Sequence, residues 1–371
     1  MLVSGLKTMP SSPFSIPKHD GNRPSRILLV GPSWVGDMVM AQSLVQVLRQ
    51  RFPGAEVDVL APAWSAALVA RMPGVRRAVS ISAGHGRLEL WERLTLAHRL
   101  RGSYDQALVL PNSLKSALVP FLAGIPQRTG YLGEYRYVLL NDTRRLNKHL
   151  LPMTVQRFVA LGLSKDTEPP PDVPAPRLEV HAANVQYALT ELNLDADRDI
   201  LVLCPGAEYG PAKRWPTEQF AAVGRTLAGQ GWNIWVMGSA KDGETAQAVC
   251  DLVGPTAVNL AGRTSLAQAV DLISLARAVV SNDSGLMHVA AALDRPLVAV
   301  YGSSDPGFTP PLSPNSRIVS LGLKCSPCFQ RQCPEGHLDC LLSLAPDLVL
   351  AQLAELLPDL DAGRPMIAGE C

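Results

Sequence analysis

The chain has almost no net charge, no long apolar run and neither of the common glycine signatures for nucleotide binding. Each shortage closes off a class of protein. Formal charge is +1 over 371 residues, so no global basic field draws it to nucleic acid. Any attraction to an acidic partner must come from a local patch. The most apolar C-terminal stretch, Leu341 to Leu357, is broken by Pro346, Asp347, Gln352 and Glu355. It falls short of the roughly 18–20 apolar residues a membrane helix needs. Near the N-terminus, Lys7 is followed by Met9-Pro10-Ser11-Ser12-Pro13, without the apolar core of a secretory signal. A cytoplasmic chain is expected, with peripheral contact to a membrane surface left open. The first loop reads Gly31-x4-Gly36 rather than G-x-G-x-x-G, and no G-x-x-x-x-G-K-[ST] occurs. The next strand ends Leu60-Ala61-Pro62, with no acidic residue for a ribose. Dinucleotide and P-loop readings are rejected.

What is present is an alternation of strand and helix, twice. At 47% hydrophobic residues the composition is globular, and the length favours two domains. Arg26–Val30 is an apolar run of the kind buried in parallel sheets. Ala41, Leu44, Val45 and Leu48 then fall at helical spacing until Phe52-Pro53-Gly54. Strands follow at Val57–Leu60 and Ala107–Leu110. The rhythm stops in SKDTEPPPDVPAPR, whose five prolines suit a semi-rigid linker. It restarts with a helix at His181–Leu192, then strands at Ile200–Leu203, Trp232–Met237, Ala278–Ser281 and Leu297–Tyr301. Thr217 is expected to cap one helix, and Ser265 with Gln268 to box another. The expected division is a disordered lead-in at 1–24, an α/β domain at 25–163 and a linker at 164–178. A second α/β domain at 179–345 and a C-terminal helix and tail at 346–371 complete it.

Three loops gather chemistry where strands end. Asp37 opens a helix just past the first strand, where ligands of open α/β sheets bind, and suits a general base. Capping its own helix is the alternative. In Pro205–Trp215, Gly206 permits close approach while Lys213 and Arg214 bring positive charge, a loop suited to a diphosphate. A solvated basic turn is the plainer reading. In Ser281–His288 the amides of Ser284 and Gly285 would open a helix, an anion site, with His288 on the face of Ser284. Cys325, Cys328, Cys333 and Cys340, spaced C-x2-C-x4-C-x6-C, lack the usual second short pair. Structural zinc and reduced thiols stay open for them.

RILLVGPSWVGDMVMAQSL, LPNSLKSALVPFLAGIPQRTGY, LNDTRR, PGAEYGPAKRWP, MGSAKD and SNDSGLMHVAAAL together resemble the heptosyltransferases of lipopolysaccharide core synthesis, glycosyltransferase family 9. The motifs occur in the family's order over about residues 26 to 304. The resemblance implies a GT-B fold, two Rossmann-like domains facing across a cleft. It implies an inverting transfer of L-glycero-D-manno-heptose from ADP-heptose to the first heptose of the inner core on Kdo-lipid A, with no obligatory metal. Carried over, Asp37 becomes the base and Lys213 the diphosphate lysine. Asp283, Ser284, Gly285 and His288 become donor contacts, and Gly206 and Arg214 join them from the basic loop's own chemistry. The enzyme would face the inner membrane from its cytoplasmic side. Asn112, Ser113, Lys115, Arg128, Tyr131 and Arg136 form a polar, basic stretch for the acceptor, though singly most suit a solvated face. Another GT-B transferase, an epimerase or a nucleotide-sugar-binding protein without turnover are the competing readings.

Overall fold

The computed structural model describes residues 24–82 and 89–360. The expected lead-in, save residue 24, and the tail beyond 360 lie outside the described residues. In the first half β1 (Arg26–Val30), β2 (Glu56–Pro62), β3 (Val75–Ile81), β4 (Gln106–Val109), β5 (Gln127–Tyr131) and β6 (Asp142–Arg144) alternate with α1 (Val35–Arg51), α2 (Ala66–Val69), α3 (Leu90–Leu100), α4 (Leu114–Leu122) and α5 (Thr154–Gly162). In the second half α6 (Ala182–Leu192) precedes β7 (Ile200–Cys204), α7 (Thr217–Ala228), β8 (Asn233–Val236), α8 (Gly243–Val253), β9 (Ala257–Asn259), α9 (Leu266–Ile273), β10 (Ala278–Asn282), α10 (Gly285–Ala292), β11 (Leu297–Val300), β12 (Ser316–Val319), α11 (Asp339–Leu342) and α12 (Pro346–Leu356).

Each half holds a six-stranded sheet, ordered β3-β2-β1-β4-β5-β6 and β12-β11-β10-β7-β8-β9, with every pairing parallel. In both, the chain starts mid-sheet, winds to one edge, then crosses to the other side of its first strand. That leaves a crevice between β1 and β4 and another between β7 and β10, at the carboxyl ends of the strands. The GT-B expectation, two facing Rossmann-like halves, is what is observed.

Apolar strand runs follow from helices covering both faces. Along β1, Ile27 and Leu29 point into one core and Leu28 into another. Along β7, Ile200 and Val202 enter that same first core, while Leu201 and Leu203 enter a third. One apolar core therefore runs through both halves, where α1 meets α10 and α2 meets α9. A buried ion pair, Arg71 to Asp271 at 2.7 Å, crosses the same seam.

The proline-rich linker lies strapped along this seam. Gln42 Oε1 accepts from the Arg177 amide at 2.8 Å, and Gln46 Nε2 donates to the Ala175 carbonyl at 2.7 Å. One residue beyond, the Leu178 amide donates to Ala292 at 3.2 Å. Helix α12 buries Val349, Leu350 and Leu353 in the second half's core, so it completes that domain. The Ser265–Gln268 box forms, but Thr217 is the first residue of α7, after Pro216, and caps nothing. No described helix is long and apolar enough to cross a membrane.

Candidate active site

The seam closes tightest where α1 and α10 begin. Gly36, in the first turn of α1, faces His288. A Cβ there would lie 2.5 Å from the imidazole Cδ2. Gly285, first residue of α10, faces Val35, and a Cβ there would lie 2.7 Å from that side chain. Two positive helix ends thus converge from opposite halves, with glycine at each because no side chain fits.

Asp37 follows Gly36 into this junction. Burial pushes its carboxyl up to about 6, the Asp283 carboxylate adds to the rise, and Lys213 opposes it. So a first-half carboxylate senses two charges from the second half. Lys213, at the end of the basic loop, bonds Asp283 Oδ2 at 2.5 Å. His288 is 4% exposed, and burial holds its imidazole down near 4, hence neutral at physiological pH. Its place is against Gly36.

Asn282 ties the two second-half loops together. Its Oδ1 accepts from the Trp215 amide at 3.0 Å, and its Nδ2 donates to the Pro205 carbonyl at 2.6 Å. Ser284 caps α10, its hydroxyl accepting from the Met287 amide at 3.4 Å. Asp37, Lys213, Asp283, Ser284, Gly285 and His288 therefore converge as the sequence led one to expect. Gly206 and Arg214 turn to a neighbouring feature instead. A Cβ on Gly206 would lie 2.4 Å from the Asp242 carboxyl carbon, and Arg214 pairs loosely with Asp242 at 3.7 Å. Asp242 also accepts from the Ser239 amide and hydroxyl, shaping the loop after β8.

The expected acceptor set divides. Arg136 is fully buried, bonding the carbonyls of Pro111 (2.6 Å) and Tyr131 (2.5 Å), with Ser113, Ser116 and Asn112 in reach. It staples the β4–α4 loop, since a buried cation must find acceptors. Arg128 bonds the carbonyls of Leu139 and Ile125 at the amino end of β5, away from the crevice. Tyr131 is buried and donates to Arg157. These three are corrected to structural roles. Asn112, Ser113 and Lys115 remain at the carboxyl edge beside β4, each at least partly exposed.

The four clustered cysteines line one small cavity with Ser303 and His337, and burial with the other thiols nearby raises Cys340. All four thiols are free. Among the described residues no group of three or more His, Cys, Asp or Glu is placed to hold a metal ion, so the zinc expectation finds no ligand set.

Sequence reading missed Asp242 and Asn282, whose roles depend on loops meeting from different strands. It missed Ser303 and Ser304 too, buried hydroxyls past β11 without a partner. Two serines after an apolar run carry no signal of burial. Gly206 close to MGSAKD in space was the one clue to Asp242, and only the fold supplies that closeness.

Comparison with known proteins agrees with the geometry. The family model for glycosyltransferase family 9 (heptosyltransferase) matches residues 93–339. Lipopolysaccharide heptosyltransferase 2 of Escherichia coli K12 is 47% identical over 342 residues, covering 90% of this chain and 98% of that protein. The Salmonella typhimurium enzyme of the same name is 46% identical over 344 residues, at 90% and 99% coverage. The solved structure of E. coli ADP-heptose LPS heptosyltransferase II superposes with a TM-score of 0.80 at 45% identity, over 90% of this chain and 98% of that one. E. coli heptosyltransferase WaaC with ADP, 24% identical, shares the fold at a TM-score of 0.68, over 89% and 99%. With paired Rossmann-like sheets and a charged junction at their facing edges, this chain belongs to glycosyltransferase family 9, the heptosyltransferases.

Proposed function

We propose that the enzyme moves L-glycero-D-manno-heptose from ADP-heptose to the first heptose of the lipopolysaccharide inner core, with inversion, using Asp37 as general base. One observation carries the mechanism: the Asp37 carboxylate, raised to about 6, faces the Lys213–Asp283 pair across the seam. A base with a pKa near the working pH combines ionisation with proton affinity. The acceptor hydroxyl oxygen forms a bond to the anomeric carbon from one face while its proton passes to Asp37. The bond to the diphosphate breaks on the opposite face, and ADP leaves with the electron pair. Lys213 and the amides opening α10 take up the charge on the leaving diphosphate.

Donor identity is supported by the E. coli relative, whose structure is described as an ADP-heptose LPS heptosyltransferase. The acceptor side of the first half suits an amphipathic, lipid-linked substrate. Tyr135 (90% exposed), Tyr137 and Val138 stand out from the loop that packs on Asn112 and whose Glu134 accepts from the Leu114 amide, one residue before Lys115. Aromatic and apolar groups beside a cation fit an anionic membrane surface.

The test is transfer from ADP-heptose to mono-heptosylated Kdo-lipid A, with EDTA present, comparing wild type and Asp37→Ala. We expect robust wild-type transfer and a loss of roughly 10²–10⁴-fold in the variant, with ADP-heptose still bound. No transfer by folded wild type sinks the donor–acceptor assignment. Transfer surviving Asp37→Ala removes the base and leaves the reaction.

A further inference from the structure

The loop between β12 and α11, which carries Cys325, Cys328 and Cys333 and leads to Cys340 in α11, also reaches the chemistry. Its Arg331 carbonyl accepts from the Ala212 amide at 3.1 Å, inside the Lys213 loop. A Cβ on Gly210, whose φ is +158, would lie 2.5 Å from that same oxygen. The Tyr209 hydroxyl donates to the Phe329 carbonyl at 2.7 Å. Phe329 in turn stacks edge-on against Phe308, which lies under Arg157 of α5 in the first half. So the cysteine loop is pinned to the Lys213 loop on one side and approaches the first half on the other.

Beside these pins lies a shallow, wide-open recess, lined by Tyr209, Gln330, Arg331, Gln332, Cys333 and Pro334. No carboxylate lines it. The Arg331 guanidinium lies 5.2 Å from the centre of the Tyr209 ring and, among the described residues, makes no ion pair. Lys213 lies 5.2 Å from the same ring. A charge track thus runs from the recess through Tyr209 to the Lys213–Asp283 pair. Glu208, beside Tyr209 in sequence, is taken by Lys241, and Glu335, beside Pro334, lines the neighbouring cysteine cavity. A planar fork without a carboxylate, flanked by two amide side chains, matches an incoming phosphate or carboxylate.

We propose that this recess is a subsite for an anionic group of the acceptor, a phosphate or carboxylate held by Arg331 with Gln330 and Gln332. The inference rests on the transferase reading above. Asp242 shapes the loop after β8, on the far side of β7 from β10. The recess sits with the loop after β12, toward α5 and the first half. The donor's leaving diphosphate belongs to Lys213 and α10, so the group reaching Arg331 comes from the acceptor. The cysteines then serve as a compact base for a loop that reads the acceptor from the donor domain.

The experiment uses the full chain and one heptosylated core oligosaccharide in three preparations: intact, phosphatase-treated and carboxyl-reduced. Equilibrium titration gives binding independently of turnover, and transfer assays give kcat and KM. With the intact oligosaccharide, Arg331→Ala is expected to weaken binding and raise acceptor KM about tenfold, with kcat and the ADP-heptose KM nearly unchanged. Arg331→Lys should recover part of the loss. Removing the group that Arg331 holds should erase the difference between wild type and variant, and the preparation in which it vanishes identifies phosphate or carboxylate. Equal weakening on all three preparations, a change confined to ADP-heptose, or no change overturns the subsite. A wild type that binds in an Arg331-dependent way yet transfers nothing removes the reaction and keeps the recess. Transfer indifferent to Arg331 does the opposite.

Discussion

The two halves are built alike and loaded differently. Each is a six-stranded parallel sheet with a crevice where its chain changes direction. At the first crevice the chain presents one carboxylate, Asp37, on the second residue after a helix start. At the second it presents a cation–anion pair, Lys213 with Asp283, and a helix cap, Ser284. Neither crevice is chemically complete by itself. A carboxylate facing only its own helix terminus would stay a strong acid, stabilised as an anion. Here burial against the second half and the Asp283 charge raise it to about 6. The fold supplies two equal shelves whose side chains differ: a buried, raised carboxyl on one, and a cation–anion pair with a capped helix start on the other.

Removing one member from the second shelf should have the largest effect. Lys213→Ala is expected to lower kcat by about 10²-fold or more, because in the proposed mechanism the leaving diphosphate loses its cation. Steady-state kinetics with saturating acceptor would read this. A loss confined to the ADP-heptose KM would instead make Lys213 a binding residue only.

Next comes the closeness of the shelves. Gly36→Ala puts a methyl group 2.5 Å from His288, so α1 and α10 must part. We expect kcat/KM to fall by about tenfold through misplacement of Asp37. His288→Ala in the same chain should restore much of it by opening space. Additive losses in that double-mutant cycle would show that His288 contributes more than packing.

The structural correction of Arg136 is tested in the same comparison. Arg136→Ala removes the donor shared by five acceptors, three in the β4–α4 loop, one in α4 and one in β5, and should destabilise the chain by about 2–3 kcal/mol in urea unfolding. A raised acceptor KM without lost stability would return it to the binding role.

The mildest perturbation is pH. A general base must be ionised to act, so if Asp37 is the proposed base kcat/KM should fall tenfold per unit below about 6 and level off above it. In the proposed mechanism bound donor adds negative charge nearby and engages Lys213, so the kcat limb should lie at higher pH. For stability the sign reverses. A carboxyl raised from 3.8 to about 6 contributes stability below pH 3.8 that is lost as pH rises through 6. Asp37→Asn should therefore stabilise the unliganded protein at pH 7, by up to ~3 kcal/mol, and change little at pH 4. Equal effects at both pH values would mean that the site does not perturb this carboxyl.

Strand and helix were legible wherever burial wrote a simple pattern. Ile27-Leu28-Leu29 and Ile200–Leu203 are apolar throughout because both faces of each sheet are covered, and Ser265 with Gln268 announces a helix start in three residues. Short edge strands such as Asp142–Arg144 and Ala257–Asn259 are only partly buried and were not read. Thr217 misled as a cap because Pro216 holds the backbone shape on its own. The acceptor arginines misled for a deeper reason. Side-chain type fixes that Arg128 and Arg136 carry charge, but not whether a guanidinium meets water, a ligand or a row of carbonyls.

The sequence by itself determined the two α/β halves, the strand-end loops and which residue types stand in them, because these follow from local period and from the carboxyl-edge rule of parallel sheets. Only the tertiary structure decided that Asp37 meets Asp283 and Lys213, that Gly36 and Gly285 let the halves touch, and that Arg136 faces inward. Those facts join residues up to about 250 positions apart, and burial, which sets both pKa and partnership, exists only once the two sheets have closed on one core.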